Sequence, residues 1–483
     1  MSVSLAMRLM IVTLFVTLVL QGCQDEPLNT TIYMPENGSS LVLRSELDAE
    51  LEGLIQRYGL TGDPLRGKKL PSIDAPLAQL GLKLFFNKAL SGDKDVACVT
   101  CHHPLLGGGD NLSLSIGVGA ENPDVLGHKR LLKDSLTLGV PRNAPTTFNS
   151  GLWQQFMFHD GRVAQVAGGI TTPDVPHPQP DAQAGHNLVH AQARFPVTSS
   201  HEMRGNLFDR GGTTQTCRDR LAERLREEPN WLSLFRAAFA QADAAAETVM
   251  TEQNIAFALG EYERSQVFVN HAWKQYVQGD LTALSSSAKH GALLFFRERS
   301  EGGYACAACH RGDFFTDEQF RNVLMPPIGP GKGGVDNLSQ QDYGRWLVTQ
   351  DPADKFRFRT PSLLNVAVTG PWGHNGAYTT LEGVVKHMLN PFQAALSYDS
   401  AQLQQTHIPH MHLQENLREM LASNTDMAGQ AYREEDVGYL VDFLQTLTDP
   451  CVTRSECMSR WLPSKDSDEQ NPLTLQLDAR FEP

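Results

Sequence analysis

The chain is short of positive charge. Its 483 residues carry 41 Lys and Arg against 55 Asp and Glu, a formal net charge of −14. That balance argues against nucleic acid as a partner and favours a basic partner protein. A hydrophobic run of spanning length is also missing. Leu9 to Leu20 is the most apolar stretch, shorter than the ~20 residues a helical span needs. With Arg8 as the only charge before Asp25, it reads as the h-region of an export signal. Leu20-Gln21-Gly22-Cys23 follows and resembles a bacterial lipobox, so the expected contact with a membrane is a lipid anchor on Cys23. A cleaved soluble signal and an uncleaved anchor are the alternatives. All three put the mature chain outside the cytoplasm, in the periplasm or on the outer membrane or cell surface. Strand signals are few, and cysteine is scarce at eight residues. Cys451 and Cys457 flank a short loop and are expected to pair in an oxidising compartment. Cys217 is left as a buried spare.

The other four cysteines form two C-x-x-C-H motifs, Cys98-Val-Thr-Cys101-His102 and Cys306-Ala-Ala-Cys309-His310. In this pattern of covalent c-type haem attachment the thiols add across the haem vinyl groups, and the His supplies the proximal nitrogen to iron. At this Cys and His content, chance gives roughly 0.004 such matches per chain. A redox dithiol needs no following His, and a zinc site built from both Cys pairs leaves the two His unexplained. Both motifs follow a G-x-x-L-F-F pattern: Gly81, Leu84, Phe85 and Phe86, then Gly291, Leu294, Phe295 and Phe296. The duplication implies two haem-bearing units.

Hydrophobic residues make up 41% of the chain, enough for proper cores, while 40 Gly and 27 Pro indicate much loop. Residues 24–43 are polar and aperiodic and read as a tether. Leu47, Leu51, Leu54 and Ile55 share one face of a helix expected within Leu43 to Tyr58. Further helices are expected over Pro71–Asn87, through most of Thr216–Gln278 with ALGEYERSQVFVNHAWKQY as the clearest piece, over Thr380–Leu389, and in REEDVGYLVDFLQTLTD. The expected fold is mainly α, with two cytochrome c-like haem domains in tandem and long connecting loops. The expected boundaries are 1–22 for a lipoprotein-type signal, 23–64 for tether and N-terminal helix, 65–280 for the first haem domain, 281–450 for the second, and 451–483 for a C-terminal tail.

Between these elements lie, in order, PRNAPT (from Pro141), DGR (from Asp160), P-V-x-x-x-x-E-M (from Pro196), R-T-P-S-L-x-N-V (from Arg359) and the T-L-E helix (from Thr380). Together with the two haem motifs, this series resembles the bacterial di-haem cytochrome c peroxidase and MauG family over roughly residues 65–450. The resemblance implies a peroxidatic first haem on His102 and an electron-transferring second haem on His310. It places Val118 where the peroxidases carry a His that caps the resting iron. Valine cannot ligate iron, so an open, MauG-like first site is expected, with His103 and His128 as substitute caps outside the family position. Glu202 matches the family's distal acid–base residue, with His201 beside it. Such a carboxylate is needed because peroxide must lose a proton to bind and regain one to leave as water.

The family's sixth ligand to the second haem falls on Met388, where MauG has Tyr, with His387 as the alternative. A His/Met haem has a high potential and accepts electrons from small redox proteins. Calcium is implied between the haems, held by Asn143 and by backbone carbonyls of Thr369 and Pro371; oxygen-only ligation suits a hard cation. The family's inter-haem Trp is replaced by His159, which is much harder to oxidise, leaving Trp153, Trp372 or Tyr378 as candidate relays. The expected activity is reduction of hydrogen peroxide with electrons from a c-type cytochrome or copper protein. The alternatives are oxidation of Trp or Tyr on a partner protein and a non-catalytic electron-transfer cytochrome.

Overall fold

The computed structural model describes residues 31–33, 42–133, 139–206, 212–332, 341–405, 408, 413–423 and 426–464. The signal segment, Cys23 and residues 465–483 lie outside them. The chain divides into a unit up to Glu46 and a unit from Leu47 onward. In the first, Thr31–Tyr33 pairs antiparallel with Val42–Arg44, where polar composition alone suggests only a tether.

The larger unit is helical, with small two- and three-stranded sheets in its loops. Two helix pairs organise it, and each crosses at the glycine of a G-x-x-L-F-F pattern. Helix Pro76–Phe85, opened by a proline at its first position, crosses Glu252–Arg264. A Cβ on Gly81 would lie 1.9 Å from the Ala258 carbonyl oxygen and 2.7 Å from the Tyr262 Cβ. Helix Ser286–Phe296 crosses Glu434–Gln445. A Cβ on Gly291 would lie 1.8 Å from the Tyr439 carbonyl oxygen and 2.8 Å from the Phe443 Cβ. Only glycine permits backbones to approach this closely. The duplication is thus a duplicated crossing, with Ala258 answering to Tyr439 and Tyr262 to Phe443.

The hydrophobic cores do not follow the boundaries expected at 65, 281 and 451. The first core gathers Leu84, Phe85, Leu259 and Tyr262, and adds Cys451, Met458 and Trp461 from beyond the second haem unit. Tyr262 Oη donates to the Trp461 carbonyl at 2.8 Å, and Trp461 Nε1 to Ser265 Oγ at 3.2 Å. The Cys451–Cys457 disulfide is formed in this returning segment. The second core takes in Leu51 and Leu54 of helix Glu46–Tyr58, and Val269, Trp273 and Tyr276. Each half therefore borrows from the far end of the chain.

The stretch ALGEYERSQVFVNHAWKQY is helical only to Arg264 and again from Ala272. The break arises because two loops compete for its backbone. Phe268 N donates to Asn149 Oδ1 at 2.8 Å, and the Phe268 carbonyl accepts from Asn149 Nδ2 at 3.0 Å and from Asn365 Nδ2 at 2.9 Å. Asn149 and Asn365 each stand four residues after a proline, at φ of 59° and 63°, the left-handed region that Asn tolerates best after Gly.

Candidate functional site

One cavity of about 930 Å³ is lined by both C-x-x-C-H motifs. Their thiols are not disulfide-bonded. Burial pushes the Cys98 and Cys306 thiols up to about 12, the reverse of the lowered value that marks a reactive redox dithiol. The two histidines are oriented alike. His102 Nδ1 lies 3.3 Å from the Gly108 carbonyl, with the Pro145 carbonyl also accepting. His310 Nδ1 lies 3.1 Å from the carbonyls of both Phe315 and Pro361. A carbonyl can only accept, so each Nδ1 carries the hydrogen and each Nε2 keeps its lone pair for a metal. Burial lowers both rings' pKa values, which favours the neutral, ligating form. Arg359 lines the same cavity with its Nη1 buried and unpartnered, as a cofactor bearing carboxylates would require. These features fit two haems.

At the first motif, Glu202 lines the cavity from a single π-turn, Ser200–Arg204. The turn packs on the loop carrying Gly117 and Val118. Val118 N donates to the His201 carbonyl at 3.3 Å, and a Cβ on Gly117 would lie 2.3 Å from the Glu202 carbonyl oxygen. Buried Arg130 pins this loop, donating from Nε to Ile116 O at 2.7 Å and from Nη2 to Gly117 O at 2.9 Å. Val118 packs against the first core rather than lining the cavity. His201 is exposed, and so is His128. His103 is buried, with Nδ1 accepting from Leu105 N at 3.1 Å. None of these three histidines lines the cavity.

At the second motif, helix Leu381–Leu389 presents Met388 to the cavity. His387 lies outside it, with both ring nitrogens engaged. Nε2 is 2.9 Å from the Val323 carbonyl and must donate to it, so Nδ1 accepts the Tyr378 hydroxyl at 2.9 Å. Sequence reasoning treated His387 as a rival ligand and did not foresee this hydrogen-bonding duty.

Trp153 and Trp372 line the cavity, and Tyr378 does not. The Arg359 guanidinium stands 3.3 Å over the Trp153 ring, while Trp372 Nε1 donates to the Val366 carbonyl at 3.0 Å. His159 donates from Nε2 to the Asn143 carbonyl at 3.0 Å, and burial lowers its pKa to about 4. Asn143, Thr369 and Pro371 come to the same cavity. The Asn143 amide group donates to the Leu112 and Ser113 carbonyls, which leaves its oxygen as the end for a cation. Among the described residues no group of three or more His, Cys, Asp or Glu could hold a metal, so a cation here would rest on neutral oxygens. Asp160 of the DGR motif opposes its burial with Arg162, Lys332 and Arg142, which hold it well below the usual carboxylate range.

Sequence reasoning missed Glu263. Its carboxyl lines the cavity one turn beyond Leu259, 9% exposed, and burial raises its pKa to about 8. The signal lay in the duplication: aligned on the glycine crossings, Leu259 and Glu263 answer to Leu440 and Leu444, and all four line the cavity.

The family model for di-haem cytochrome c peroxidase matches residues 75–282. A methylamine utilization protein MauG of Methylorubrum extorquens is 28% identical over 310 residues, 64% of this chain and 67% of that one. A cytochrome-c peroxidase of Denitromonas iodatirespirans, IdrP2, is 29% identical over 329 residues, 65% of this chain and 73% of that one. The crystal structure of the diheme peroxidase BthA from Burkholderia thailandensis aligns with a TM-score of 0.53 at 19% identity, covering 81% of this chain and 90% of its own; this is a likeness of fold.

Proposed function

The chain belongs to the di-haem cytochrome c peroxidase and MauG family, and we propose that it reduces hydrogen peroxide at its first haem with electrons entering through the second. The observation that carries the reading is the placing of Glu202 on the wall of the first haem's cavity, with no histidine among His103, His128 and His201 there to cap the iron. Bound haem would supply redox-active iron; Cys98 and Cys101 would attach the first haem and Cys306 and Cys309 the second, with His102 and His310 giving each iron a nitrogen.

Glu202 takes the peroxide proton and returns it to the outer oxygen, the transfer that O–O cleavage requires. The balance is H2O2 + 2 H⁺ + 2 e⁻ → 2 H2O. Arg130 fastens the loop of Val118 through the Ile116 and Gly117 carbonyls, and the site stays open without prior reduction. Met388 would help hold the second haem through its thioether, because His387 has no free ring nitrogen. Asn143, Thr369 and Pro371 would hold calcium through neutral oxygens. The electron donor is a small c-type cytochrome or copper protein.

A second reading, oxidation of Trp or Tyr on a partner protein, is favoured by Val118, which leaves the site open as in MauG. No helix among the described residues is long and apolar enough to cross a membrane, and the proposed location is outside the cytoplasm on a Cys23 lipid anchor.

Electron paramagnetic resonance of the ferric protein tests the reading, before and after peroxide without reductant. One high-spin and one low-spin haem are expected, both losing their ferric signals. Two low-spin haems inert to peroxide would overturn the open site and restore a reductively activated enzyme.

A further inference from the structure

We propose that Glu263 is the proton-exchanging group of the first haem: its carboxylate takes up one proton when that haem gains an electron and releases it when the electron leaves. The inference rests on the two-haem reading above.

Three observations carry it. Glu263 lines the cavity beside the first attachment motif, close enough for its charge to raise the Cys98 thiol pKa. Glu263 is 9% exposed, and among the described residues its carboxyl has no hydrogen-bond or ion-pair partner, burial alone raising its pKa. The second half of the molecule supplies the control: the same helical position facing the second motif is Leu444, also against the cavity. A lone buried carboxyl is expensive where leucine would pack, so its presence at only one of two duplicated sites marks a difference in what the sites do.

Of the other titratable groups nearby, Glu202 lines the same cavity and is assigned above to the peroxide proton, and most of the rest are engaged with one another. On its own helix, Arg264 pairs with Glu261, which also meets His190 of Leu188–Gln192, and the Tyr262 hydroxyl donates to Trp461. Lys83 is the only titratable residue of Pro76–Phe85. On Thr214–Arg226, Arg218 pairs with Asp174, and Arg224 donates to Ser91 and Gly92 carbonyls. The Ser150–Leu152 turn has none. Asp110 is the other buried acid near this motif. It accepts from Leu112 N and does not line the cavity.

Burial favours the neutral acid. Oxidised haem iron carries one more positive charge than reduced iron, and that charge favours the carboxylate. The carboxyl's pKa is therefore lower beside oxidised haem than beside reduced haem. Between those two values each electron added draws in one proton from solvent, and the first haem's reduction potential falls as pH rises. At the corresponding position the second haem faces Leu444, and the acids lining its side of the cavity are engaged, Asp426 with Arg357 and Glu298 with the Tyr58 hydroxyl.

The test is a spectroelectrochemical titration of both haems from pH 6 to 9 in the wild type, Glu263→Gln, Glu263→Leu and Asp110→Asn. In the wild type the first-haem potential is expected to fall with pH, approaching the limit of a tenfold change per unit, about 59 mV for one electron. The second-haem potential stays flat. Both Glu263 variants are expected to flatten the first haem and Asp110→Asn to leave its slope intact. An unchanged slope in the Glu263 variants, or one abolished by Asp110→Asn, overturns the proposal.

A reduced-minus-oxidised infrared spectrum of the wild-type protein needs no variant to fold. Gain of a protonated-carboxyl band on reduction is expected, and its absence sinks the inference. Haem stoichiometry, from the pyridine haemochrome and intact mass, separates the two failures. Fewer than two haems defeats the functional reading, whereas two haems with a flat first potential defeat the role of Glu263 alone.

Discussion

The first and second halves of the larger unit hold their haem motifs by the same means. A glycine crossing fixes each helix pair, and a proline carbonyl accepts from each proximal histidine, Pro145 for His102 and Pro361 for His310. An asparagine four residues later ties each loop to the Phe268 carbonyl. The halves part company on the open wall of the cavity. The first carries the carboxyls of Glu202 and Glu263 there; the second carries Met388 and Leu444, and its own lining acids are engaged, Asp426 with Arg357 and Glu298 with the Tyr58 hydroxyl. Attachment and proximal geometry are thus the shared frame. On the proposed reading the first half handles protons, and at the corresponding wall the second half places a thioether and a leucine. An iron that must break an O–O bond needs protons delivered; one that only passes electrons does better with a ligand that resists protonation.

The largest effect should come from removing that asymmetry at Glu202. Glu202→Gln keeps the shape and loses the carboxylate, so peroxide turnover should fall by about 10²–10⁴-fold. The second haem's spectrum and potential should not move. Stopped-flow mixing with peroxide, read at each haem's Soret band, checks both. Turnover within about threefold of wild type would mean that water or another group carries the proton.

A smaller effect tests what the halves share. Gly81→Ala and Gly291→Ala each place a Cβ within 2 Å of a backbone oxygen, 1.9 Å from Ala258 and 1.8 Å from Tyr439. Neither neighbour is a side-chain tip that can swing away. Each substitution should destabilise by about 1–3 kcal/mol or more, measured by denaturant unfolding, with haem release first in its own half. Destabilisation by one and not the other would mean that the duplication is one of sequence and not of packing.

The parts of this comparison legible in the sequence are those carried by short covalent or steric rules. C-x-x-C-H points to a haem, and the repeated G-x-x-L-F-F marks a duplication, which the structure shows as a repeated crossing. Met388, singled out by the family resemblance, lines the cavity. Local pattern did not reveal what depends on distant chain. Helical periodicity runs through Ser265–His271, yet Asn149 and Asn365 capture that backbone. His387 has the ring of an iron ligand, but the Val323 carbonyl and Tyr378 hydroxyl occupy both nitrogens. Glu263 sits in a run of ordinary helical character and stands out only against Leu444. Residues 451–483 read as a tail because nothing local shows that Trp461 returns to Tyr262.

That return yields the smallest and most discriminating prediction. The Cys451–Cys457 disulfide closes a loop of sequence separation 6, and loop-closure entropy gives it about 2 kcal/mol. Cys451, Val452, Met458 and Trp461 pack in the first core although they follow the whole second half in sequence. A Cys451→Ser/Cys457→Ser double variant should therefore loosen the first half. Hydrogen exchange should quicken in Pro76–Phe85 and Glu252–Arg264 and hold steady in Ser286–Phe296 and Glu434–Gln445. If the segment were a mere appendage, neither pair would respond. Faster exchange confined to the second pair would show that the disulfide serves the half it adjoins in sequence, and the interleaving of the two cores would then be energetically empty. The expected pattern has a physical basis in the Tyr262 hydroxyl. Buried between the two helices of the first crossing, it finds its acceptor among the described residues in the Trp461 carbonyl, so freeing the segment strands a buried donor on the helix that carries Glu263.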